Sequence, residues 1–351
     1  MEHEKYIKRC LQLAKNGIGS TRPNPSVGAV IVLNNKIIAE GFTSPYGESH
    51  AEVNAINAVK NKNFLTEATI YVTLEPCSHY GKTPPCADLI VKHQFKKVVI
   101  GCVDTNSLVA GKGIERLKNA GINVVVGILE NECKKHHKRF FTVQNKKRPY
   151  IILKWAQSQD GFIAPKTKNE QKPVWISNQY SQQLVHKYRS EEHAILVGTN
   201  TVVADNPSLT VRNWSGKNPV RIVLDKNLRI PKEATVLNGK VKTIVILNSK
   251  TNQEEYQFEH SKELVFEPIN FASRVAEQIC IVLQKHNIQS VIIEGGTQTL
   301  QTFINANLWD EAKVFTGKSL FKNGVEAPDF NGKLNKQIYI GNDVLKTYIN
   351  D

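Results

Sequence analysis

The chain has 351 residues, of which 40% are hydrophobic and 22% charged, and its length exceeds that of one ordinary hydrophobic core. These values exclude an intrinsically disordered protein, and no apolar run reaches the length of a membrane-spanning helix. The first residues lack the apolar segment of a secretory signal peptide, so a cytoplasmic protein of two domains is expected.

The net charge of +14 is compatible with three interpretations. It fits a nucleic-acid-binding surface, a lysine-rich solvated surface, or the attraction of anionic small molecules such as phosphorylated substrates and dinucleotides. The lysines are scattered rather than clustered, which favours the second and third interpretations. The six cysteines are too widely spaced for a small disulfide framework, so those near a histidine are candidate metal ligands.

In the first half of the chain, β-rich runs alternate with segments of helical spacing. The predicted strands are residues 26–32, 36–42, 69–74, 97–103 and 123–128, the first two joined by a turn at Asn34 and Asn35. The predicted helices are residues 51–60, 86–93, 114–120 and 130–140. This alternation of strands and helices predicts an α/β sheet.

A basic polar stretch at residues 144–149 is the predicted boundary between a first domain, residues 1–145, and a second, residues 149–351. Beyond it, strands are predicted from Tyr150 onwards and at residues 194–198, 220–224, 242–247 and 290–293. Helices are predicted at residues 177–189 and 271–286, and closing strands at residues 333–351. The second half is therefore also expected to be an α/β domain.

His50, Glu52, Cys77 and Cys86 form the first set of candidate functional residues. One imidazole and two thiolates supply three tetrahedral zinc positions and leave the fourth to water, as in catalytic sites. Zinc lowers the pKa of that water towards neutrality. Glu52 can take the water's proton and pass it to leaving ammonia without being a ligand. The order His-x-Glu followed by Pro-Cys is the signature of zinc-dependent deaminases.

The spacing of the two cysteines departs from the general signature, which places two residues between them. Here eight residues, 78–85, separate Cys77 from Cys86. With Pro76 before the first cysteine, this segment resembles the diaminohydroxyphosphoribosylaminopyrimidine deaminases, the riboflavin deaminase family. The resemblance implies a cytidine-deaminase-like α/β/α domain whose zinc ion is held by His50 and the two cysteines.

The run TRPNPSVG at residues 21–28 resembles the substrate-facing loop of the same family. The resemblance implies that Asn24 hydrogen-bonds the pyrimidine, whereas the alternative interpretation is a proline-rich turn before a strand. His79, Lys82 and Thr83 are implied to line the ribose-phosphate side, or else they belong to a polar loop without a binding role.

The segment DTNS at residues 104–107, followed by Gly111, resembles a further family stretch that usually reads Asp-Pro-Asn-Pro. Thr105 and Ser107 replace the two prolines, while the polar Asp104 and Asn106 remain. The replacement affects the expected rigidity of the loop and leaves the zinc chemistry unaffected.

The second half has no Gly-x-Gly-x-x-Gly sequence, so a Rossmann domain is not predicted. It contains instead KWAQSQDG at residues 154–161, WIS at 175–177, DNPSLTVR at 205–212 and VIIEGGT at 291–297. The last segment reads as a strand, a glycine turn and a helix start. Glycines allow close approach of a ligand, and a helix N-terminus offers N–H groups to a pyrophosphate. Many α/β proteins have such a turn, so alone it is a weak signal.

Taken in order, these segments resemble the riboflavin-pathway reductase family, whose fold is similar to dihydrofolate reductase. The resemblance implies NADPH as the cofactor, and the implied binding residues are Ala156, Gln157, Trp175, Thr201, Asp205, Gly296, Thr297, Gln298, Thr299, Leu300, Gln301 and Thr302. The implied substrate contacts are Arg189, Leu209, Arg212 and Glu294. The fork of an arginine guanidinium matches the oxygen pairs of a phosphate.

The roles of four residues near the start of this half are less specifically indicated by the sequence. Lys154 and Asp160 either position the substrate or only end a strand and cap a turn. The family usually has glycine or alanine where Trp155 and Gln157 stand, so these bulkier side chains are expected to alter the nicotinamide pocket.

Together the resemblances imply a bifunctional enzyme of riboflavin biosynthesis. The first half would deaminate 2,5-diamino-6-ribosylamino-4(3H)-pyrimidinone 5′-phosphate, and the second would reduce the ribosyl side chain to ribityl with hydride from NADPH. The expected partner is thus a small phosphorylated pyrimidine, not nucleic acid or a membrane. The family resemblance also implies a homodimer or a larger assembly.

Three other functions remain open at this point. A deaminase of nucleic acid, acting for example on tRNA adenosine, would account for the net charge of +14. The eight-residue cysteine spacing and the reductase-like half argue against it. A non-catalytic binding protein with a degenerate deaminase domain is disfavoured because all four zinc-site residues are present. Activity in only one half is a milder alternative, since the reductase motifs are less specific than the zinc motif.

Overall fold

The computed structural model describes residues 2–80, 84–105, 110–167, 170–251 and 262–350. The chain divides into two compact units, Met1–Lys147 and Arg148–Asp351, and each unit has its own hydrophobic core. The stretch predicted as the boundary is only partly a linker, because a helix continues through it to Lys146. Within the described residues, no helix is both long and apolar enough to cross a membrane.

Among its described residues, the first unit is built on a five-stranded sheet. The strands are β1 Gly28–Leu33, β2 Lys36–Phe42, β3 Thr69–Leu74, β4 Lys97–Cys102 and β5 Asn123–Val126. The helices are α1 Glu2–Ala14, α2 Ala51–Ala58, α3 Cys86–Lys92, α4 Lys112–Asn119, α5 Glu130–His136 and α6 Lys138–Lys146. The strand order is β2-β1-β3-β4-β5, in which β1 is antiparallel to both neighbours and β3, β4 and β5 are parallel.

The central strands β1, β3 and β4 are buried along nearly their whole length. Continuous burial is expected for strands of a sheet that is covered on both faces. Parallel strands also bring their carboxyl ends to one edge of the sheet, so the segments that follow β3 and β4 lie near each other. The metal-site sequence that begins at Glu75 therefore starts at this edge.

A glycine on β2 allows α2 to lie directly on the sheet. A Cβ atom at Gly41 would lie 2.5 Å from the backbone oxygen of Ala51 and 2.5 Å from the backbone nitrogen of Ala55. No side chain therefore separates the strand from the first turns of the helix. This contact places the start of α2, with His50 and Glu52, close to the sheet.

The first unit differs from the sequence expectation in its helices. Helix α1, whose residues Tyr6, Ile7, Cys10 and Leu13 are buried, was not predicted from the sequence. The helix predicted at residues 130–140 is instead the two helices α5 and α6, which meet at His137. Strand ends differ from the prediction by one or two residues, as at the start of β1 and the ends of β4 and β5.

The described part of the second unit contains a nine-stranded sheet of mixed direction and a separate two-stranded sheet. Its strands are β6 Tyr150–Gln157, β7 Phe162–Pro165, β8 Ala194–Gly198, β9 Val220–Leu224, β10 Thr243–Asn248, β11 Leu264–Ile269, β12 Ser290–Ile293, β13 Glu311–Thr316, β14 Gly324–Glu326, β15 Lys333–Ile340 and β16 Asp343–Ile349. Its helices are α7 Gln179–Glu191, α8 Thr199–Asp205, α9 Val275–Lys285 and α10 Thr297–Asn305.

The order of the large sheet is β11-β10-β9-β8-β12-β6-β13-β16-β15. In this order, the first seven strands, β11 through β13, all pair in parallel with their neighbours. At the other edge, β16 pairs antiparallel with β13, and β15 pairs antiparallel with β16. The carboxyl ends of β6, β8, β9 and β12 consequently meet at one side of the sheet, which is where α/β proteins bind ligands. The predicted closing strands are confirmed as β15 and β16, and the α/β class of both halves is confirmed.

Candidate functional site

Side chains from three elements of the first unit converge on one point. His50 is the N-cap residue of α2, Cys77 follows β3, and Cys86 is the first residue of α3. Nδ1 of His50 lies 3.7 Å from Sγ of Cys77 and 3.3 Å from Sγ of Cys86. Tetrahedral zinc bonds of about 2.0–2.3 Å place the donor atoms roughly 3.5 Å apart. The three side chains therefore fit a zinc ion in both geometry and chemistry.

The two sulfurs differ in their electrostatic surroundings. Hydrogen bonding to Cys86, opposed by burial and aided by His50, lowers the pKa of the Cys77 thiol to about 4. Hydrogen bonding to Cys77 and burial raise the pKa of the Cys86 thiol well above its usual range. These surroundings favour the thiolate at Cys77, and a metal ion that binds both sulfurs requires both thiols to lose their protons.

Glu52 lies in the first turn of α2, two residues after the histidine. Its side chain is buried, with 4% of the residue exposed, and burial raises the pKa of its carboxyl to about 7. A carboxyl group with a pKa near neutrality can both take up and return a proton at physiological pH. Glu52 also interacts with the Cys86 thiol, which places the carboxyl beside the predicted zinc ligands.

A cavity of about 450 Å³ opens beside these groups within the first unit. The predicted site residues that line it are Asn24, His50, Glu52, Cys77 and His79. Lining residues that the sequence analysis did not name as site residues include Tyr46, Glu48, Phe140 and Gln144. The last two lie on α6, and no local motif marks them. Lys82, Thr83, Asn106 and Ser107 lie outside the described residues, so their predicted roles remain predictions.

A larger cavity, of about 1380 Å³, lies within the second unit. The predicted residues that line it are Ala156, Trp175, Arg189, Thr201, Asp205, Leu209, Arg212, Glu294, Gly296, Thr297, Gln298 and Thr299. Ordinary ligand pockets have volumes of roughly 300–1,000 Å³. This cavity thus has room for a dinucleotide together with a second ligand.

The glycine turn after β12 fits the pyrophosphate of a dinucleotide. Gly296 is the N-cap of α10 and provides no side-chain cap, so the first N–H groups of the helix have no side-chain acceptor there. A Cβ atom at Gly296 would meet nothing within 4 Å, so the approach to the turn is open. The turn lines the large cavity with its backbone, as an anion site at a helix start requires.

Four residues predicted to bind the cofactor do not line this cavity. They are Gln157, Leu300, Gln301 and Thr302. The side chain of Leu300 is fully buried in the core, and the Gln301 amide donates to the backbone oxygen of Asp329. The hydroxyl of Thr302 donates to the backbone oxygen of Gln298. The cavity-lining part of α10 is therefore its first turn alone.

The two bulky residues at the end of β6 interact with each other. Nε1 of Trp155 donates to Oε1 of Gln157 over 2.8 Å, and the Trp155 ring packs against Phe330 in the core. Trp155 is 5% exposed and contributes to the cavity lining, whereas Gln157 does not. Of the two bulky side chains, only Trp155 is therefore placed where it can alter a pocket in this cavity, and the expected effect on the nicotinamide remains a prediction.

A buried ion network lies at the carboxyl end of β12. Glu294 accepts from Nη2 of Arg189 at 2.8 Å and from Nε at 3.2 Å, and Nζ of Lys154 lies 3.5 Å from the same carboxylate. Burial acts to raise the pKa of Glu294, but the two cations outweigh it and hold the pKa at about 2. All three residues line the large cavity, so Lys154 belongs to the site.

Asp160 has a different position. Its carboxylate accepts from the backbone N–H groups of Phe321 and Lys322 and from the Ser158 hydroxyl, and it does not line the cavity. Of the two roles left open for Asp160, the structure thus shows the capping of a turn. Residues that the sequence analysis missed include Lys226, Asn227 and Arg229, which follow β9 and line the cavity. Their position after a parallel strand was the available signal.

These two sites define a zinc-dependent base deaminase joined in one chain to a dinucleotide-dependent reductase. Residues 1–102 match the sequence family of the cytidine and deoxycytidylate deaminase zinc-binding region, and residues 149–321 match the RibD C-terminal domain. The chain belongs to the RibD family of riboflavin biosynthesis proteins. Members of this family are bifunctional deaminases and reductases, with zinc and NADPH as cofactors.

Individual relatives support this assignment over nearly the whole chain. The riboflavin biosynthesis protein RibD of Aquifex aeolicus is 40% identical over 327 residues, which cover 93% of this chain and 90% of that protein. RibD of Escherichia coli K12 is 34% identical, with coverage of 91% and 89%.

Solved structures agree with these sequence matches. The crystal structure of a diaminohydroxyphosphoribosylaminopyrimidine deaminase/5-amino-6-(5-phosphoribosylamino)uracil reductase from Thermotoga maritima has a TM-score of 0.88 at 35% identity. RibD of Acinetobacter baumannii has a TM-score of 0.88 at 33% identity. In both comparisons 100% of this chain and 99% of the other are covered.

Proposed function

We propose that the first unit deaminates 2,5-diamino-6-ribosylamino-4(3H)-pyrimidinone 5′-phosphate and that the second unit then reduces the ribosyl side chain of the product to ribityl. The observation that carries the proposal is the convergence of His50, Cys77 and Cys86 beside the buried carboxyl of Glu52. A metal-ligand set of this kind next to a proton carrier at the wall of a cavity is the arrangement that hydrolytic deamination of a ring requires.

In the deaminase site, His50, Cys77 and Cys86 would hold the zinc ion, which supplies a water molecule that is acidic near neutral pH. Glu52 would carry a proton from the attacking water to the departing amine. Asn24 lines the same cavity and binds the pyrimidine by hydrogen bonds. His79, also at the cavity, lies on the ribose-phosphate side, and Lys82 and Thr83 act with it.

In the reductase site, NADPH supplies the hydride, and the protein binds and orients the two reactants. The start of α10 binds the cofactor pyrophosphate, because residues 296–299 line the cavity and the first N–H groups of the helix have no side-chain cap. Ala156, Trp175, Thr201 and Asp205 hold the rest of the cofactor along the cavity wall.

Two arginines face the substrate in this cavity and have different surroundings. Arg189 is paired with Glu294, whereas Arg212 donates to the hydroxyls of Ser208 and Thr210. Hydroxyl groups do not neutralise a guanidinium, so Arg212 retains its charge for a phosphate. Arg212 is therefore assigned to the substrate phosphate, and the Arg189–Glu294 pair, with Leu209, to the remainder of the substrate.

The partners follow from this chemistry. The substrate is a small phosphorylated pyrimidine, and the net charge of +14 attracts such anions without a nucleic-acid partner. The family assignment supports a cytoplasmic enzyme and a homodimer or larger assembly. Analytical ultracentrifugation of the purified chain tests the assembly, and a single monomeric species would contradict it.

The whole proposal is tested by incubating the zinc-loaded protein with the diaminopyrimidine ribotide in the presence and absence of NADPH. Ammonia is expected in both reactions, and oxidation of the nicotinamide only when NADPH is present and deamination has occurred. Ammonia release from tRNA but not from the ribotide would identify a nucleic-acid deaminase instead. Ammonia release without any nicotinamide oxidation would show that only the first unit is active.

The Arg212→Ala variant is expected to raise the KM of the reductase step by about 10- to 100-fold, because a charged hydrogen bond contributes about 1.5–3 kcal/mol. Deamination should be unchanged, since Arg212 lies in the second unit. Steady-state rates of nicotinamide oxidation and ammonia release measure the two effects. The matched control is Arg274→Ala, which removes an exposed arginine of the same unit that does not line the cavity. Equal loss of both activities would indicate misfolding.

A further inference from the structure

A second carboxylate is buried beside the proposed deaminase site, and the mechanism above does not use it. Glu75 directly follows β3 and precedes Cys77 by two residues, and only 4% of it is exposed. Its burial requires hydrogen-bond partners, because an unpaired carboxylate in the interior is strongly unfavourable. The identity of those partners shows what this residue does.

Both oxygens of Glu75 accept hydrogen bonds from the protein backbone. The donors are the N–H groups of Gly113 at 2.9 Å and Ile114 at 3.2 Å to Oε1, and of Gly111 at 3.0 Å and Asp104 at 3.2 Å to Oε2. Gly113 and Ile114 belong to the first turn of α4, whose N–H groups have no acceptor within the helix. One side chain thus joins the end of β3 to α4 and to Asp104, and both Glu75 and Asp104 line the deaminase cavity.

The turn at Cys77 is held from its other side by α3. The backbone oxygen of Cys77 accepts from the N–H of Ala87 at 3.1 Å, and its Sγ accepts from the N–H of Cys86 at 3.3 Å. Cys77 therefore lies between two helix starts. The contact with α3 is made by its own backbone and sulfur, whereas the contact with α4 depends on Glu75.

The packing of α4 against this turn leaves no free space. A Cβ atom at Gly113 would lie 2.1 Å from the backbone oxygen of Pro76 and 3.2 Å from Oε1 of Glu75. The first of these distances is shorter than any van der Waals contact, and the contact atom is backbone, so a side chain at position 113 would force α4 and the turn apart. The junction between the turn after β3 and the start of α4 therefore needs the carboxylate of Glu75 on the strand side and Gly113 on the helix side.

We propose that Glu75 is a positioning residue for deamination, which fixes the metal ligand Cys77 and the cavity wall at Asp104 relative to each other. The inference extends the proposed function and depends on it. Glutamine at position 75 keeps the size of the side chain, but its amide nitrogen is a donor and would face backbone N–H groups. The substitution thus removes two of the four accepted bonds without creating space.

The test compares Glu75→Gln with the unmutated full-length enzyme, both zinc-loaded. We expect the KM for the pyrimidine ribotide to rise by about tenfold or more, since two buried N–H groups lose their acceptor, while nicotinamide oxidation on pre-deaminated substrate is unchanged. The cobalt(II)-substituted protein supplies a readout independent of turnover. Its visible absorption depends on ligand geometry, so the bands of the variant should shift from those of the unmutated protein.

Gly113→Ala tests the same junction from α4 and keeps the carboxylate. Alanine has a higher helix propensity than glycine, so the substitution by itself favours α4, and any large kinetic loss comes from the contact with Pro76. Asp225→Asn is the matched control. Asp225 is a fully buried carboxylate in the second unit that likewise accepts N–H bonds, from Arg229 and Ile230, so its replacement should leave deamination unchanged.

The outcomes separate this inference from the proposed function. If the unmutated enzyme releases no ammonia from the ribotide, the proposed function is wrong. If it does, and either folded variant keeps both the unmutated KM and the unmutated cobalt spectrum, Glu75 only stabilises the fold and the inference is overturned. A raised KM with a shifted spectrum in Gly113→Ala supports it even where Glu75→Gln fails to fold.

Discussion

Glu52→Gln is expected to lower the rate of deamination by about 10²- to 10⁴-fold and to leave the zinc in place. Glutamine has nearly the same shape, so the start of α2 and the three metal ligands are not disturbed. Its amide cannot carry a proton from water to the leaving amine, which is the role proposed for the buried Glu52 carboxyl. Initial rates of ammonia release and the zinc content of the purified protein measure the two effects.

The control for this prediction is Glu67→Gln, which removes an exposed carboxylate that pairs with Lys96 at the protein surface. This control should keep full deamination. Nicotinamide oxidation by Glu52→Gln on pre-deaminated substrate should also be unchanged, because the second unit has its own core. Zinc-loaded Glu52→Gln with more than about a tenth of the original rate would remove Glu52 from the mechanism, given the usual size of general-base effects.

Glu294→Gln is expected to abolish reduction and to destabilise the second unit by about 3–5 kcal/mol, because it leaves Arg189 and Lys154 buried without the carboxylate between them. Hydrogen–deuterium exchange in peptides from β6 and β12 reports the stability of this region. The matched control is Glu267→Gln, which breaks an ion pair with Lys285 at the edge strand β11, away from the cavity. Full reduction by Glu294→Gln would contradict the role of the network.

The same network predicts an acid dependence of stability. The folded-state pKa of Glu294, about 2, lies below its usual value of 4.5. A depressed pKa means that the ionised form is favoured by folding, so the stabilisation is complete above the usual pKa and is lost as the pH falls towards the folded-state value. Exchange in β6 and β12 of the unmutated protein should therefore accelerate between about pH 4.5 and 2. Glu294→Gln should lack this component.

The zinc site could be predicted from the sequence because its chemistry is local. His50 and Glu52 are two residues apart at a helix start, and Cys77 follows a buried strand, so short motifs carried both their identity and their approximate position. The part of the cavity lining that α6 contributes could not be predicted in this way. Phe140 and Gln144 reach it from α6, and only the tertiary fold brings that helix to the site.

The helical period explains why only part of α10 lines the cavity. Successive residues of a helix point in different directions, so a continuous run from Gly296 to Thr302 cannot face one cavity. Leu300 turns into the core, as its apolar side chain requires. Along β6, side chains alternate between the two faces of the strand, so Trp155 and Gln157 lie on the same face. There they form a hydrogen bond with each other.

The break between α5 and α6 depends on a tertiary contact. No proline or glycine interrupts residues 130–140, so the sequence predicted one helix. Nε2 of the buried His137 lies 3.1 Å from the hydroxyl of Thr73 on β3, and burial holds the pKa of this histidine well below its usual value. The helix ends and restarts at this residue, and a partner 64 positions away in the chain gives no local signal.

Gly41 limits how the deaminase centre can vary. With 2.5 Å between a would-be Cβ and the backbone of α2, even the methyl group of alanine must lift the helix away from β2. His50 and Glu52 would move with the helix, whereas Cys77 and Cys86 belong to other elements and would stay. The donor distances and the proton path would then change together. Evolution of the surrounding cavity towards other ring substrates can therefore proceed through the loops and α6, but not through this position on β2.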